Sequence, residues 1–296
     1  MNEINMLLDQ FTSQLLYVNN YSKVTTTSIK GTFIFLMRST GICMLDELTR
    51  DLVEEWLIKG RMTKNWKAST YISHHKHINT FMNWLVNKWK IEDNFMKYIN
   101  KPKLESTLPR RLNKEDAGKL LFTARRLKCR YKFESIRNHS LIGLMLFTWL
   151  RKSEVLWLQV QDVDLSRMVI SVIQGKGKKD RIVPISSRLY AILQEYITER
   201  RRLDKKSDYF FVWSQFDEQL TARTINRLVF ALKQKTGLDF SSHSLRHTFA
   251  TLMIDGWCDI YTLSKIMWHS KITTTTIYLA CSSNLMLKNI EKHPLN

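Results

Sequence analysis

Ser241-Ser-His-Ser-Leu-Arg-His-Thr-Phe-Ala-Thr251 is the stretch on which the reading of this chain turns. A serine ahead of an apolar-periodic run predicts a helix start, with Ser241 or Ser242 as the N-cap. The first turn then presents His243, and Arg246 follows one turn later on the same face. His247 is expected on a different face, in a structural role. Phe249, Leu252 and Met253 pack the rest of the helix, and Gly256 ends it. The first N–H groups of a helix have no partner within it, so a helix start that carries Arg and His makes a good phosphate site.

Three neighbouring segments bear on that site. Downstream, Met267-Trp-His-Ser-Lys-Ile-Thr-Thr-Thr-Thr-Ile-Tyr278 places His269 in a break between helices. Its threonine run caps a short helix carrying Tyr278. Taken singly, that tyrosine reads as a packing aromatic. Upstream, Thr148-Trp-Leu-Arg-Lys-Ser-Glu154 sets Arg151 three residues before Glu154. Such a pair, by itself, is a helix-surface ion pair.

Between them lie two β-rich runs, Met168-Val-Ile-Ser-Val-Ile173 and Arg181-Ile-Val-Pro-Ile185. Gly175-Lys-Gly-Lys-Lys-Asp180 joins them, which predicts an antiparallel hairpin with a basic tip. Glycines on either side of Lys176 let the backbone approach another molecule closely, and Lys178, Lys179 and Arg181 add charge for a DNA groove. A lysine there is also able to donate a proton. A solvated turn accounts for these residues equally well.

Helical patterns fill most of the remaining chain. Leu7, Leu8, Phe11, Leu15 and Leu16 form one amphipathic helix. Others run from about Thr26 to Met37, from Thr49 with Gly60 at its end, and from about Ser69. Residues 1–100 therefore read as a small all-α domain. Its basic positions include Lys64, Lys67 and Lys76, which suit either phosphates or a solvated face. His74, His75 and His77 lack an adjacent Cys, Asp or Glu and are expected at the surface, not on a metal. Residues 101–111 hold two of the four prolines and read as a basic linker. From 112 to 296 a second domain follows, opening with an Asn113 cap, with further helices over roughly Ser135–Trp149 and Ser187–Arg201.

The net charge of +19 over 296 residues is uneven. Residues 1–100 carry 12 Lys and Arg against 9 Asp and Glu, and the remaining 34 against 18 lie in residues 101–296. A positive field concentrated on one part of a folded body favours polyanions, nucleic acid above all. The four cysteines form no C-x-x-C pair, which argues against a zinc ribbon or disulfide framework and suits a cytoplasmic protein. The N-terminus lacks the basic-then-apolar order of a signal peptide, and no apolar run approaches a membrane span.

Taken in order, Arg151, Lys176, His243, Arg246, His269 and Tyr278, with Glu154 one turn after the first arginine, resemble the catalytic set of the tyrosine recombinase (phage integrase) family. The motifs G-K-G-x-K and H-x-L-R-H carry the resemblance, which extends over nearly the whole chain. Trp149 and Trp268 depart from it, standing where the family often has glycine. The resemblance implies a mainly α fold with a small antiparallel β-sheet (α+β). A helical core-binding domain and a mixed α/β catalytic domain would form a clamp around DNA. It is closest to two-domain, Xer-type or simple mobile-element members, without an arm-binding domain.

The same resemblance implies that Tyr278 attacks a scissile phosphate of a specific double-stranded DNA site, leaving a 3′-phosphotyrosine and a free 5′-hydroxyl. Arg151 and Arg246 would clamp the phosphate, Lys176 would protonate the leaving oxygen, and His243 would act as base and later acid. His269 would position the phosphate, and Glu154 would orient Arg151 or His243. Neither metal nor ATP is expected, since arginines supply the charge and the covalent bond stores the phosphodiester energy. The protein is expected as a homotetramer on DNA, and as monomer or dimer when free. Residues 279–296 would dock on a neighbouring subunit, although packing on their own domain is a close competitor. A type IB topoisomerase-like relaxing enzyme and a non-catalytic DNA-binding protein on the same fold are the alternatives. RNA binding is disfavoured because no aromatic stacking motif is evident.

Overall fold

A computed structural model describes residues 3–104, 110–173, 180–268 and 272–279. The hairpin tip with Lys176, Lys178 and Lys179 lies outside the described residues, as do His269 and the tail from 280 onward. The chain divides into two units, Met1–Thr107 and Leu108–Asn296.

The first unit is built from α1 (Glu3–Tyr17), α2 (Lys23–Thr40), α3 (Arg50–Lys64) and α4 (Ala68–Asn87), followed by a 3-10 turn at Phe95–Tyr98. Helix starts follow their caps. Ser22 accepts the Thr25 N–H at 3.2 Å, and Thr49 accepts the Leu52 N–H at 3.4 Å. Ile4, Phe11, Phe33, Leu57, Phe81 and Leu85 are buried at the centre, with Phe33 and Phe81 edge-to-face at 4.8 Å. Burial of each such side chain contributes about 2–3 kcal/mol, which is what fixes four otherwise marginal helices.

Two local expectations fail here for the same reason, a tertiary contact. Gly60 does not end α3. The helix runs one further turn to Lys64, and Asn65 in the left-handed region closes it (φ 51°). Gly60 is instead the floor under Trp66, where an added Cβ would stand 2.2 Å from the indole ring. The histidines of α4 are not surface groups either. His75 is buried with Nε2 3.1 Å from the Ile99 carbonyl, while His74 and His77 are half-buried, with Nδ1 at 3.0 and 2.8 Å from the Thr32 hydroxyl. Burial pushes all three below the ordinary histidine range.

In the second unit, α5 (Lys114–Arg126), α6 (Lys132–Phe147) and α8 (Ser187–Arg202) pack together, and α9 (Ala222–Thr236) and α10 (Ser242–Asp255) close the core from other sides. The short helices α7 (Lys152–Trp157) and α11 (Ile260–Ile266) flank them. A three-stranded antiparallel sheet consists of β1 (Val163–Asp164), β2 (Val169–Val172) and β3 (Arg181–Pro184) in that order. β2 and β3 pair as the hairpin pattern predicts, Ile170 opposite Val183 and Val172 opposite Arg181. The two-residue β1 is too short to leave a period-2 pattern. The described chain is thus mainly helical with one small antiparallel sheet, as expected.

Candidate active site

The site is assembled in the second unit from four pieces of chain: the entry to α7, the start of β3, the first turns of α10 and a 3-10 turn at Thr276–Tyr278. Each is positioned by local chemistry. At the α7 entry, the Glu154 carboxylate turns back and accepts the backbone N–H of Arg151 at 2.8 Å. At α10, Ser241 accepts the Ser244 N–H at 3.1 Å while the Ser244 hydroxyl accepts the Ser241 N–H at 2.7 Å, a reciprocal capping box. The turn before Tyr278 is held by the Thr276 hydroxyl, which donates to the Thr273 carbonyl at 3.0 Å.

Glu154 is the electrostatic centre. Its Oε1 accepts from Arg151 Nη1 at 2.8 Å and its Oε2 from Arg181 Nη2 at 2.6 Å. The Glu154 and Arg181 side chains are only 8% and 5% exposed, whereas Arg151 keeps 36% of its side chain open. Burial by itself would raise the Glu154 carboxyl, but the hydrogen bonds and charges of Arg181 and Arg151 outweigh it and hold it below the usual carboxylate value. Arg151 is thereby oriented with its remaining donors free of Glu154 and reachable from solvent.

Arg181 was expected among the DNA-contacting residues of the hairpin. It is buried and ion-paired to Glu154, because its strand position opposite Val172 turns it inward to the carboxylate. Of the other residues expected to contact DNA, Lys64, Lys67 and Lys76 are exposed in the first unit, and the Lys64 ammonium lies 4.1 Å from the Phe35 ring centre.

On α10, Arg246 is buried and its Nη1 donates to the Trp149 carbonyl. Burial first, and then the charge of Arg151, lower its pKa to about 10, so it stays charged at neutral pH. Trp149 packs its buried ring against Phe249 at 5.7 Å, so the bulk that replaces a glycine here fills core space. Trp268, the other departure, is exposed and adopts φ 53°, the left-handed region that favours glycine.

His243 is exposed at the helix start, and burial of the ring, then Arg246 and Arg151, lower its pKa. His247 is the residue that sequence reasoning misplaced. Four residues after His243, it shares that face, and the two rings meet edge-to-face at 4.5 Å. Its Nδ1 lies 3.0 Å from the Tyr278 hydroxyl oxygen. The i, i+4 spacing was the available signal. Burial, then His243 and Arg246, lower the His247 pKa to about 4. Tyr278 is buried, 2% exposed.

The described residues therefore bring Arg151, Glu154, His243, Arg246 and Tyr278 into one unit around shared charges, with Arg181 and His247 added to them. Residues 110–284 match the profile described as the phage integrase family. The chain belongs to the phage integrase family. Its relatives are tyrosine recombinases of the Xer type. The tyrosine recombinase XerC of Corynebacterium efficiens is 31% identical over 84% of this chain and 79% of its own. The tyrosine recombinase XerA of Pyrococcus furiosus is 31% identical over 66% of this chain and 65% of its own.

Solved structures of a site-specific recombinase and a transposon integrase share the fold. A XerH site-specific recombinase bound to a palindromic difH substrate superposes with TM-score 0.72 at 21% identity, covering 95% of this chain and 84% of that one. The Tn1549 transposon integrase in complex with circular intermediate DNA gives TM-score 0.73 at 19% identity, covering 97% and 99%. No described helix is long and apolar enough to cross a membrane.

Proposed function

We propose that this phage integrase-family chain is a site-specific DNA recombinase that cuts and rejoins duplex DNA through Tyr278. The observation that carries the reading is the gathering of Arg151, Arg246, His243 and Tyr278 around one carboxylate-braced site in a family of tyrosine recombinases.

In the forward step the Tyr278 oxygen forms a bond to phosphorus and loses its proton, while the bond from phosphorus to the 5′-oxygen breaks and that oxygen gains a proton. A 3′-phosphotyrosine and a free 5′-hydroxyl result, and rejoining to a new 5′-hydroxyl reverses each transfer. Negative charge grows on the non-bridging oxygens, and two guanidiniums are suited to it as permanent, planar, bidentate donors. Arg151 is half-open to solvent and braced by Glu154, which suits it to meet the phosphate first. Arg246 joins when it exchanges the Trp149 carbonyl for a phosphate oxygen.

His243, exposed at the α10 N-terminus and near enough to Arg246 and Arg151 to feel their charge, is assigned proton transfer. Lys176 and His269 take their roles of leaving-group acid and phosphate ligand from the matching motif positions. The excess of 34 basic over 18 acidic residues in 101–296 supplies the attraction to DNA. Residues 1–100 would form the core-binding domain, residues 101–111 a linker and 112–296 the catalytic domain, closing as a clamp on DNA. Lys64, Lys67 and Lys76 would touch phosphates of the same duplex. Exchange between two duplexes needs four cuts, hence a homotetramer on DNA in the cytoplasm, with residues 279–296 reaching the next subunit. Relaxation by a topoisomerase-like monomer and non-catalytic DNA binding are disfavoured by relatives that are recombinases by name.

The test is incubation with a pool of nicked duplexes of randomised sequence, recovery of protein–DNA adducts and sequencing of their DNA. A common recovered site and an adduct on Tyr278 support the reading. Adducts without sequence preference, or relaxation of supercoiled plasmid without strand exchange, would move it to the topoisomerase-like alternative.

A further inference from the structure

The contact of His247 with Tyr278 has no part in the proton and phosphate roles assigned above. We infer that His247 is a positioning residue for the nucleophile, holding the Tyr278 hydroxyl inside the fold until bound DNA draws it out. This rests on Tyr278 being the nucleophile.

Three observations carry it. Nδ1 of His247 is 3.0 Å from the Tyr278 oxygen, hydrogen-bond distance whichever atom donates. Tyr278 is 2% exposed, so in this arrangement its oxygen is shielded from a phosphate arriving from solvent. Arg246, the preceding residue, is likewise engaged within the protein, on the Trp149 carbonyl. Neighbouring members of the site thus spend hydrogen bonds on the protein itself, and attack requires the Tyr278 bond to be given up.

Burial first, and then the neighbouring His243 and Arg246, explain why the holder is an imidazole that stays neutral. His243 stands edge-on to it at 4.5 Å, and Arg246 is adjacent in sequence. Together with burial these keep His247 unprotonated down to about pH 4. Over the ordinary working range its ring therefore offers one lone pair and one N–H, and Nδ1 pairs with the phenol in either tautomer. Release is then a matter of competition. A phosphate that recruits Arg246 and offers Tyr278 a better partner takes the hydroxyl away, and no change of pH is needed.

Side chains of similar size at position 247 separate a positioning role from a space-filling one. An asparagine at 247 carries its amide atoms where the imidazole carries Nδ1, whereas the glutamine amide lies one bond further out, and phenylalanine fills the space with no polar atom. The experiment uses the full-length chain without DNA, treats it with tetranitromethane, and follows nitration of the Tyr278 peptide by mass spectrometry. Slow nitration is expected for wild type and for His247→Asn. His247→Gln and His247→Phe should nitrate Tyr278 roughly fivefold faster, the ratio set by one net hydrogen bond.

A purely structural role for His247 predicts that Gln and Asn behave alike. Equal rates across wild type, Gln and Phe overturn the inference. Circular dichroism checks each variant, and should His247→Phe not fold, the comparison of Gln with Asn decides alone. Adducts of wild type and Tyr278→Phe on nicked DNA test the nucleophile separately. Adducts that persist in Tyr278→Phe sink the functional reading, whereas equal nitration with adducts lost in Tyr278→Phe sinks only the role of His247.

Discussion

The Glu154 carboxylate bridges two arginines, Arg151 at 2.8 Å and Arg181 at 2.6 Å, and is the only acidic group among the described residues paired with either. One of these arginines is partly open to solvent and the other buried, so a single buried anion ties the open side of the site to the base of the hairpin.

Removing that anion is expected to be costly. Glu154→Gln leaves Arg181 buried without its counter-charge, and breaking one side of a buried pair costs about 3–5 kcal/mol. Urea unfolding should show that loss, and Glu154→Gln combined with Arg181→Met should recover part of it. A loss below about 1 kcal/mol, the value of an exposed pair, would mean that the carboxylate does not brace the site.

Arg246→Lys tests the clamp without removing charge. A lysine ammonium cannot match the bidentate fork, so single-turnover cleavage of the selected nicked duplex should fall by about 10²–10³, the usual cost of losing one transition-state donor. Binding of the same duplex should change little. Cleavage within about threefold of wild type would remove Arg246 from the transition state.

Stability should decline as pH falls below the ordinary histidine value. Burial lowers the pKa of His74, His75, His77, His139, His243 and His247. Unfolded histidines with pKa of about 6.5 then bind more protons than folded ones, so stability is full above that pH and lost as pH drops toward the folded values. For His247 the window runs from about 6.5 to about 4. Unfolding curves of wild type and His247→Asn across this range should converge as pH falls, the variant having the shallower slope. Parallel curves would show that His247 is not held neutral.

Much of the fold was legible because local signals and core packing agree. Thr49, Asn113 and Ser241 each cap the helix expected to follow them, and the β-rich runs at 168–173 and 181–185 hold the paired strands of the expected hairpin. The failures share a cause, contacts between residues far apart in sequence. Gly60 reads as a stop only if Trp66 is ignored, and the α4 histidines read as surface only if Thr32 and Ile99 are. Arg181 reads as a hairpin charge until β3 turns it onto Glu154, 27 residues away in sequence. His247 differs, since its helical spacing from His243 already placed the two rings together and only its partner Tyr278 was distant.

Tyr278 attack is the claim on which the rest depends, and covalent capture tests it most directly. Wild type and Tyr278→Phe are incubated with the selected nicked duplex, and adducts are resolved and mapped by mass spectrometry. A 3′-phosphate ester on Tyr278 in wild type, with no adduct in Tyr278→Phe, is the predicted result. Equal adduct in both chains, or an adduct mapped to another residue, would contradict it.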